Sequence, residues 1–173
     1  MQNRTTSSIR FWLSATLVVL AASLTVFAHS QAPATGLVIG GDVKAPLTLS
    51  AEDIKAMPRT TVTVTADGRD EKYEGVLLGE ILKRAGAAVG RELTGAAVAT
   101  YVVASAKDGY RAVFALAELD PEFTSNDIIV ADTVDGKPLF DYQGPFRIVA
   151  PHDKRGARSV RMLQKIDVVR LPK

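Results

Sequence analysis

From Leu37 onward the chain is cut into short apolar or β-branched runs by turn residues spaced too closely for long crossovers. Gly40-Gly41, Pro58, Asp67-Gly68, Gly86, Asp108-Gly109, Pro121, Asp135-Gly136-Lys137-Pro138 and Gly144-Pro145 supply the breaks. Parallel neighbours need a connection of about a dozen residues or more, whereas antiparallel strands close through a tight turn. The pattern therefore predicts an α+β domain with mainly antiparallel sheets and a few short helices.

Residues 37–49 are strand-like around Gly40-Gly41. Ser50-Ala51-Glu52-Asp53 has the form of a helix start, with the Ser50 hydroxyl placed to accept a backbone N–H, and Pro58 ends that helix near Met57. Residues 59–65 alternate with period two and predict a strand, turned by Asp67-Gly68 into a return strand beginning over residues 72–75. The clearest helix spans residues 76–85, with Leu77, Leu78, Ile81, Leu82 and Ala85 on one face and Gly86 as C-cap. Residues 98–104 and 110–116 predict a hairpin around Asp108-Gly109. A helical turn at residues 117–120 follows, then strands at 127–131, 146–150 and 166–171.

The chain has 173 residues, 47% of them hydrophobic and 23% charged, which suits one globular domain. Residues 1–10 carry Arg4 and Arg10 and no acid, and residues 11–28 are apolar apart from Ser14, Thr16, Ser23 and Thr25. Small residues follow at Val26-Phe27-Ala28, and less suitably at Ser30-Gln31-Ala32, where Pro33 comes next. This predicts a signal peptide over residues 1–30, a single domain over 31–173 and a periplasmic or otherwise exported location. The apolar run is also long enough to span a bilayer, so an uncleaved anchor remains open as the one membrane contact.

Without Arg4 and Arg10, 19 basic residues face 19 acidic ones, so the chain's surplus of +2 gives no argument for nucleic acid, and none is expected as a partner. Charge is nevertheless segregated. Residues 108–141 hold eight acids against Arg111 and Lys137, whereas residues 147–173 hold eight bases against Asp153 and Asp167. The two segments could pair with each other, or the basic one could rim an anion site. With no cysteine and only His29 and His152, disulfides, thiolate catalysis, iron–sulfur clusters and Cys/His zinc sites are excluded. No phosphate-binding glycine loop, zinc-protease motif or nucleophile elbow occurs.

Candidate ligand contacts remain. Tyr110 and Arg111 follow the Asp108-Gly109 turn and are either turn-flanking or ligand-facing. Arg147 is a charge inside the apolar run 146–150, fit for an ion pair with one of the middle acids or for an anion. In Gly156-Ala157-Arg158-Ser159-Val160-Arg161, two arginines, a hydroxyl and backbone N–H groups could wrap an anion, or the segment is a solvated loop. His152-Asp153 does not make a triad, because neighbours on an extended chain point to opposite faces. No residue is assigned a catalytic or metal-ligating role.

In order and spacing, several segments together resemble the molybdopterin-binding oxidoreductase domain of the sulfite oxidase-like family in its short, single-domain form. They are Leu47-Thr48-Leu49-Ser50, Thr61-Val62-Thr63-Val64-Thr65, Tyr73-Glu74-Gly75-Val76-Leu77-Leu78, Asp108-Gly109-Tyr110, Asp135-Gly136-Lys137-Pro138-Leu139, Gly144-Pro145-Phe146-Arg147-Ile148-Val149 and Gly156-Ala157-Arg158-Ser159-Val160-Arg161. The resemblance covers roughly residues 37–171 and implies a sulfite oxidase-like fold. It also implies molybdopterin as cofactor, with Arg158, Ser159 and Arg161 in the segment that holds the pterin phosphate; Tyr110 and Arg147, read from their own positions, complete the candidate cofactor contacts.

One departure is decisive for the expected chemistry. The family's enzymes bind molybdenum through a cysteine thiolate from the loop after the Thr-Val-Thr strand. Here that loop reads Ala66-Asp67-Gly68-Arg69-Asp70-Glu71-Lys72. A carboxylate is a poor replacement for a soft thiolate. The resemblance also implies export of a folded, cofactor-loaded chain by the twin-arginine route, yet Arg4 and Arg10 stand apart. The expectation is an exported domain without cofactor or molybdenum redox chemistry, binding a small anion or an envelope protein partner. The alternatives are an active molybdopterin-dependent oxidoreductase and a purely structural domain with a packed pocket.

Overall fold

Thr60–Ala66 (β3) alternates threonine and valine, so its Val62 side faces a core while its threonines face water. It pairs antiparallel with Arg69–Leu77 (β4) through a tight turn in which Gly68 takes φ +73°. The computed structural model describes residues 36–66 and 68–172. The signal-peptide reading of residues 1–30, and Asp67 of the β3–β4 turn, lie outside the described residues. Those described belong to one compact unit, Ala32–Lys173.

The remaining elements are Leu37–Gly41 (β1), Leu47–Leu49 (β2), Ala51–Lys55 (α1), Leu78–Arg84 (α2), Thr100–Ala106 (β5), Arg111–Ala115 (β6), Ile129–Val134 (β7), Lys137–Pro138 (β8), Arg147–Val149 (β9) and Leu163–Arg170 (β10). They build two five-stranded sheets. The first runs β2-β1-β10-β5-β6, and the second runs β3-β4-β7-β8 with β9 also on β7. Every pair is antiparallel except β1 with β10. The α+β, mainly antiparallel architecture is as the turn spacing predicts.

Boundaries shift where a neighbouring strand competes with local preference. Val76 and Leu77 carry helical periodicity, but they pair with Val130 and Ile129, so β4 keeps them and α2 starts at Leu78. β10 starts at Leu163, three residues earlier than expected, because β5 pairs with it from Ala106 onward and β1 joins it at Lys165. Val98 and Ala99 fall in a 3-10 turn, Gly95–Ala99, and β5 begins at Thr100. Ser50 caps α1 as read. Its hydroxyl accepts the Asp53 N–H at 3.1 Å, and the Asp53 carboxylate accepts the Ser50 N–H at 2.9 Å.

Two apolar cores result. The larger gathers Leu37 and Ile39 of β1, Val102 and Phe114 of the hairpin, Ile166 and Val168 of β10, and Ile81 and Leu82 of α2. The smaller lies on the other face of the second sheet and holds Val62, Tyr73, Ile129, Ala131, Val134 and Val149. β7 and β9 are therefore buried on both faces, since Val130 and Ile148 join the large core while their neighbours join the small one. Arg147 alternates with Ile148 and so points toward the small core. Among the described residues no helix is long and apolar enough to cross a membrane.

Candidate functional site

Arg147 owes its position to β9. It is 8% exposed, and its guanidinium stacks 4.7 Å above the Tyr73 ring. Nη1 donates to the Tyr73 hydroxyl at 2.8 Å and to Gln143 Oε1 at 2.9 Å. Tyr73 in turn donates to Glu71 Oε2 at 2.7 Å. Glu71 and Tyr73 stand two apart on β4 and therefore share a face, which is what lets the ring oxygen link the two charges.

The ion pair expected with one of the middle acids is replaced by a relay in which Tyr73 separates Arg147 from Glu71. Burial, with Arg161 nearby, pulls the Arg147 pKa below the usual arginine range. Burial, with the bond to Glu71, pushes the Tyr73 phenol up to about 12. Arg147 Nε is buried and meets no acceptor among the described residues. A buried donor without a partner is rare and costly, and such atoms concentrate where a bound group or water completes the set.

Beside it lie Arg161, Tyr142 and Phe140. Arg161 is exposed, and its guanidinium sits 5.8 Å from the centroid of the Tyr142 ring. Tyr142 stacks on Phe140 at 5.7 Å with planes 9° apart, and both rings are more than half exposed. Gln143 ties this platform to the buried arginine, since its Nε2 donates to the Tyr142 hydroxyl at 3.1 Å.

The other three sequence-derived residues form a separate cluster. Arg158 donates from Nε and Nη2 to both oxygens of Asp153 at 2.8 and 2.7 Å. Its Nη1 reaches both oxygens of Glu118 at 2.9 and 3.0 Å, and its guanidinium lies 4.9 Å above the Phe114 ring. Donating to Asp153 and Glu118 raises the Arg158 pKa, and accepting from Arg158 holds the Asp153 carboxyl below its ordinary value. The reading of an open basic loop thus fails at Arg158, because two carboxylates already claim its N–H groups. Tyr110 donates to the Ala157 carbonyl at 2.7 Å, and the Ser159 hydroxyl accepts the Ala150 N–H at 3.3 Å. Both pin the loop.

The five residues are therefore divided, with Arg147 and Arg161 in one place and Tyr110, Arg158 and Ser159 in another. Sequence reasoning missed Tyr73, Glu71, Gln143 and Tyr142. Two signals for them existed: the i, i+2 spacing of Glu71 and Tyr73, and the position of Tyr142-Gln143 just before Gly144-Pro145-Phe146-Arg147.

The comparisons agree with this architecture. The sulfane dehydrogenase SoxCD from Paracoccus pantotrophus superposes with a TM-score of 0.61 at 22% identity, over 77% of this chain and 37% of that one. At that identity the likeness speaks for the fold, and this chain spans little more than a third of the other's length. No curated protein matches the sequence. Residues 27–173 match the family model of the oxidoreductase molybdopterin binding domain, and the chain belongs to that family.

Proposed function

We propose that this member of the family carries out no molybdenum redox chemistry and serves, in an exported compartment, as a module that binds a small anion at Arg147 and Arg161. The buried, unpartnered Nε of Arg147 beside exposed Arg161 is the observation that carries the reading. Two guanidiniums share this place with one carboxylate, Glu71, which is itself taken up by Tyr73. An oxyanion would bond to the exposed Arg161 guanidinium, with the buried Arg147 charge behind it adding attraction.

The residues present do not suit a molybdenum–pterin group. The chain has no thiol, and Asp70, at the start of β4, offers a hard carboxylate that already accepts the Thr65 hydroxyl at 2.6 Å on one oxygen. Arg158, the arginine that the resemblance assigns to the pterin phosphate, is neutralised twice over by Asp153 and Glu118.

Titration calorimetry with inorganic phosphate and sulfate tests the anion reading. Binding is expected in the unaltered protein and absent in Arg161→Ala, with the fold intact by circular dichroism. Native mass spectrometry of protein from its own host tests the redox part. Stoichiometric molybdenum or a pterin-sized mass would overturn it. A second reading, docking of an envelope protein, draws on the exposed Phe140–Tyr142 stack and predicts that Phe140→Ser abolishes co-purification of a partner.

A further inference from the structure

A cleft of about 380 Å³ opens between the start of α2, the 3-10 turn Gly90–Glu92 and the segment 119–128. That volume is within the roughly 300–1,000 Å³ of small-molecule sites. It shares no lining residue with the Arg147–Arg161 place, so nothing said of that place bears on it. Its walls are of two kinds. Leu119 and Ile128, both buried, and half-buried Leu77 and Val89 give an apolar interior. Half-buried Glu80 and exposed Glu122 and Asp127 line it as well, with Lys83 as the one base among the lining, 3.8 Å from Glu80.

Local backbone geometry holds the cleft open. α2 begins so close to the 119 segment that a Cβ on Gly79 would overlap the Leu119 carbonyl oxygen. Buried Asp120 accepts the N–H groups of Gly90 and Glu122, tying the 3-10 turn to the far wall. Gly90 takes φ +59°, and the Glu122 carboxylate lies against it, where a Cβ would come within 3.3 Å of Oε1. The Glu122 carboxylate thus lies on the Gly90 side of the cleft.

From the apolar interior and the acidic lining we infer that this cleft binds a small organic amine, its alkyl body on Leu77, Val89, Leu119 and Ile128 and its ammonium between Glu122 and Asp127. A carboxylate or phosphate ligand would meet like charge there. A bare metal ion would gain nothing from the apolar walls, and among the described residues no three acidic or histidine side chains converge to hold one. An ammonium at the rim keeps part of its hydration while the alkyl chain leaves water, the division of labour that amphipathic side chains use on protein surfaces.

The test uses three probes of one size: n-hexylammonium, n-hexanol and hexanoate. Each is titrated into the full protein and followed by amide chemical shifts. Hexylammonium is expected to shift Gly79, Gly90, Thr124 and Asn126 saturably, with hexanol at least about tenfold weaker and hexanoate silent. In Glu122→Gln/Asp127→Asn, two exposed substitutions, hexylammonium should weaken by about tenfold while hexanol is unchanged. Val89→Trp should abolish binding by filling the interior, and the surface double variant carries the test if that protein does not fold. Equal affinity for hexanol and hexylammonium would overturn the assignment of charge. Binding of hexanoate, or no saturable shift at these amides, would overturn the site.

Discussion

Burial and particular neighbours together set the response to pH of the buried ionisable side chains Asp132, Tyr73 and Arg147. Asp132 shows the balance most clearly. Burial works to raise its pKa, but bonds from both Arg59 nitrogens, at 2.9 and 2.5 Å, and from the Thr133 hydroxyl outweigh it and hold the carboxyl low. A depressed carboxyl stabilises the fold above its unfolded pKa, about 3.9 for aspartate, and the contribution is lost as pH falls through the folded value. Urea midpoints measured from pH 6 down to pH 3 should therefore decline in the acid range. Asp132→Asn should start lower and decline less. Tyr73 has the opposite sign. Its pKa, raised to about 12, means that its share of stability is intact below about pH 10 and disappears as pH climbs through 12. Absorbance of tyrosinate should show one of the four tyrosines titrating late, and Tyr73→Phe should remove that step.

The short helices and turns depend on single residues, and the sequence displays these better than it displays their tertiary ties. Ser50→Ala should cost about 1 kcal/mol in chemical denaturation by removing the cap of α1. Gly109 and Gly41 both have positive φ, at +87° and +84°, yet they differ in surroundings. A side chain at Gly109 meets nothing, whereas one at Gly41 runs into the backbone of Val168. Gly109→Ala should thus cost on the order of 1 kcal/mol from strain alone, and Gly41→Ala clearly more, because β1 would have to move off β10. Arg158 and Arg161 look alike in sequence and separate in the same way. Arg158→Ala leaves Asp153 and Glu118 unmatched and should lower stability by roughly 1 kcal/mol, while Arg161→Ala should stay within about ±0.5 kcal/mol. Glu118 could not be tied to Arg158 in advance, because a salt bridge across 40 residues leaves no mark in local pattern.

At the scale of the molecule, what was legible was whatever repeats locally. The Thr-Val alternation of β3, the Ser50 cap and the Asp108-Gly109 hairpin follow from periodicity and turn chemistry. The parallel pairing of β1 with β10 does not, since nothing near Leu37 specifies a partner more than a hundred residues away. The same holds for the partners of Arg147: the apolar run 146–150 marks a buried strand, but nothing near it names Tyr73, 74 residues away. The large core makes its own prediction: Leu82→Ala, at a fully buried position, should cost about 2–5 kcal/mol.

β10 sits at the middle of its sheet, with β1 from the start of the domain on one side and β5 on the other. The last strand to be synthesised is thus the one the first strand waits for. A chain emerging from N-terminus to C-terminus can assemble the β3–β4 and β5–β6 hairpins early, but its first sheet stays split until residues 163–170 arrive. Contacts of such long sequence separation slow folding. The first sheet is therefore obliged to stay in two halves until residues 163–170 have been made.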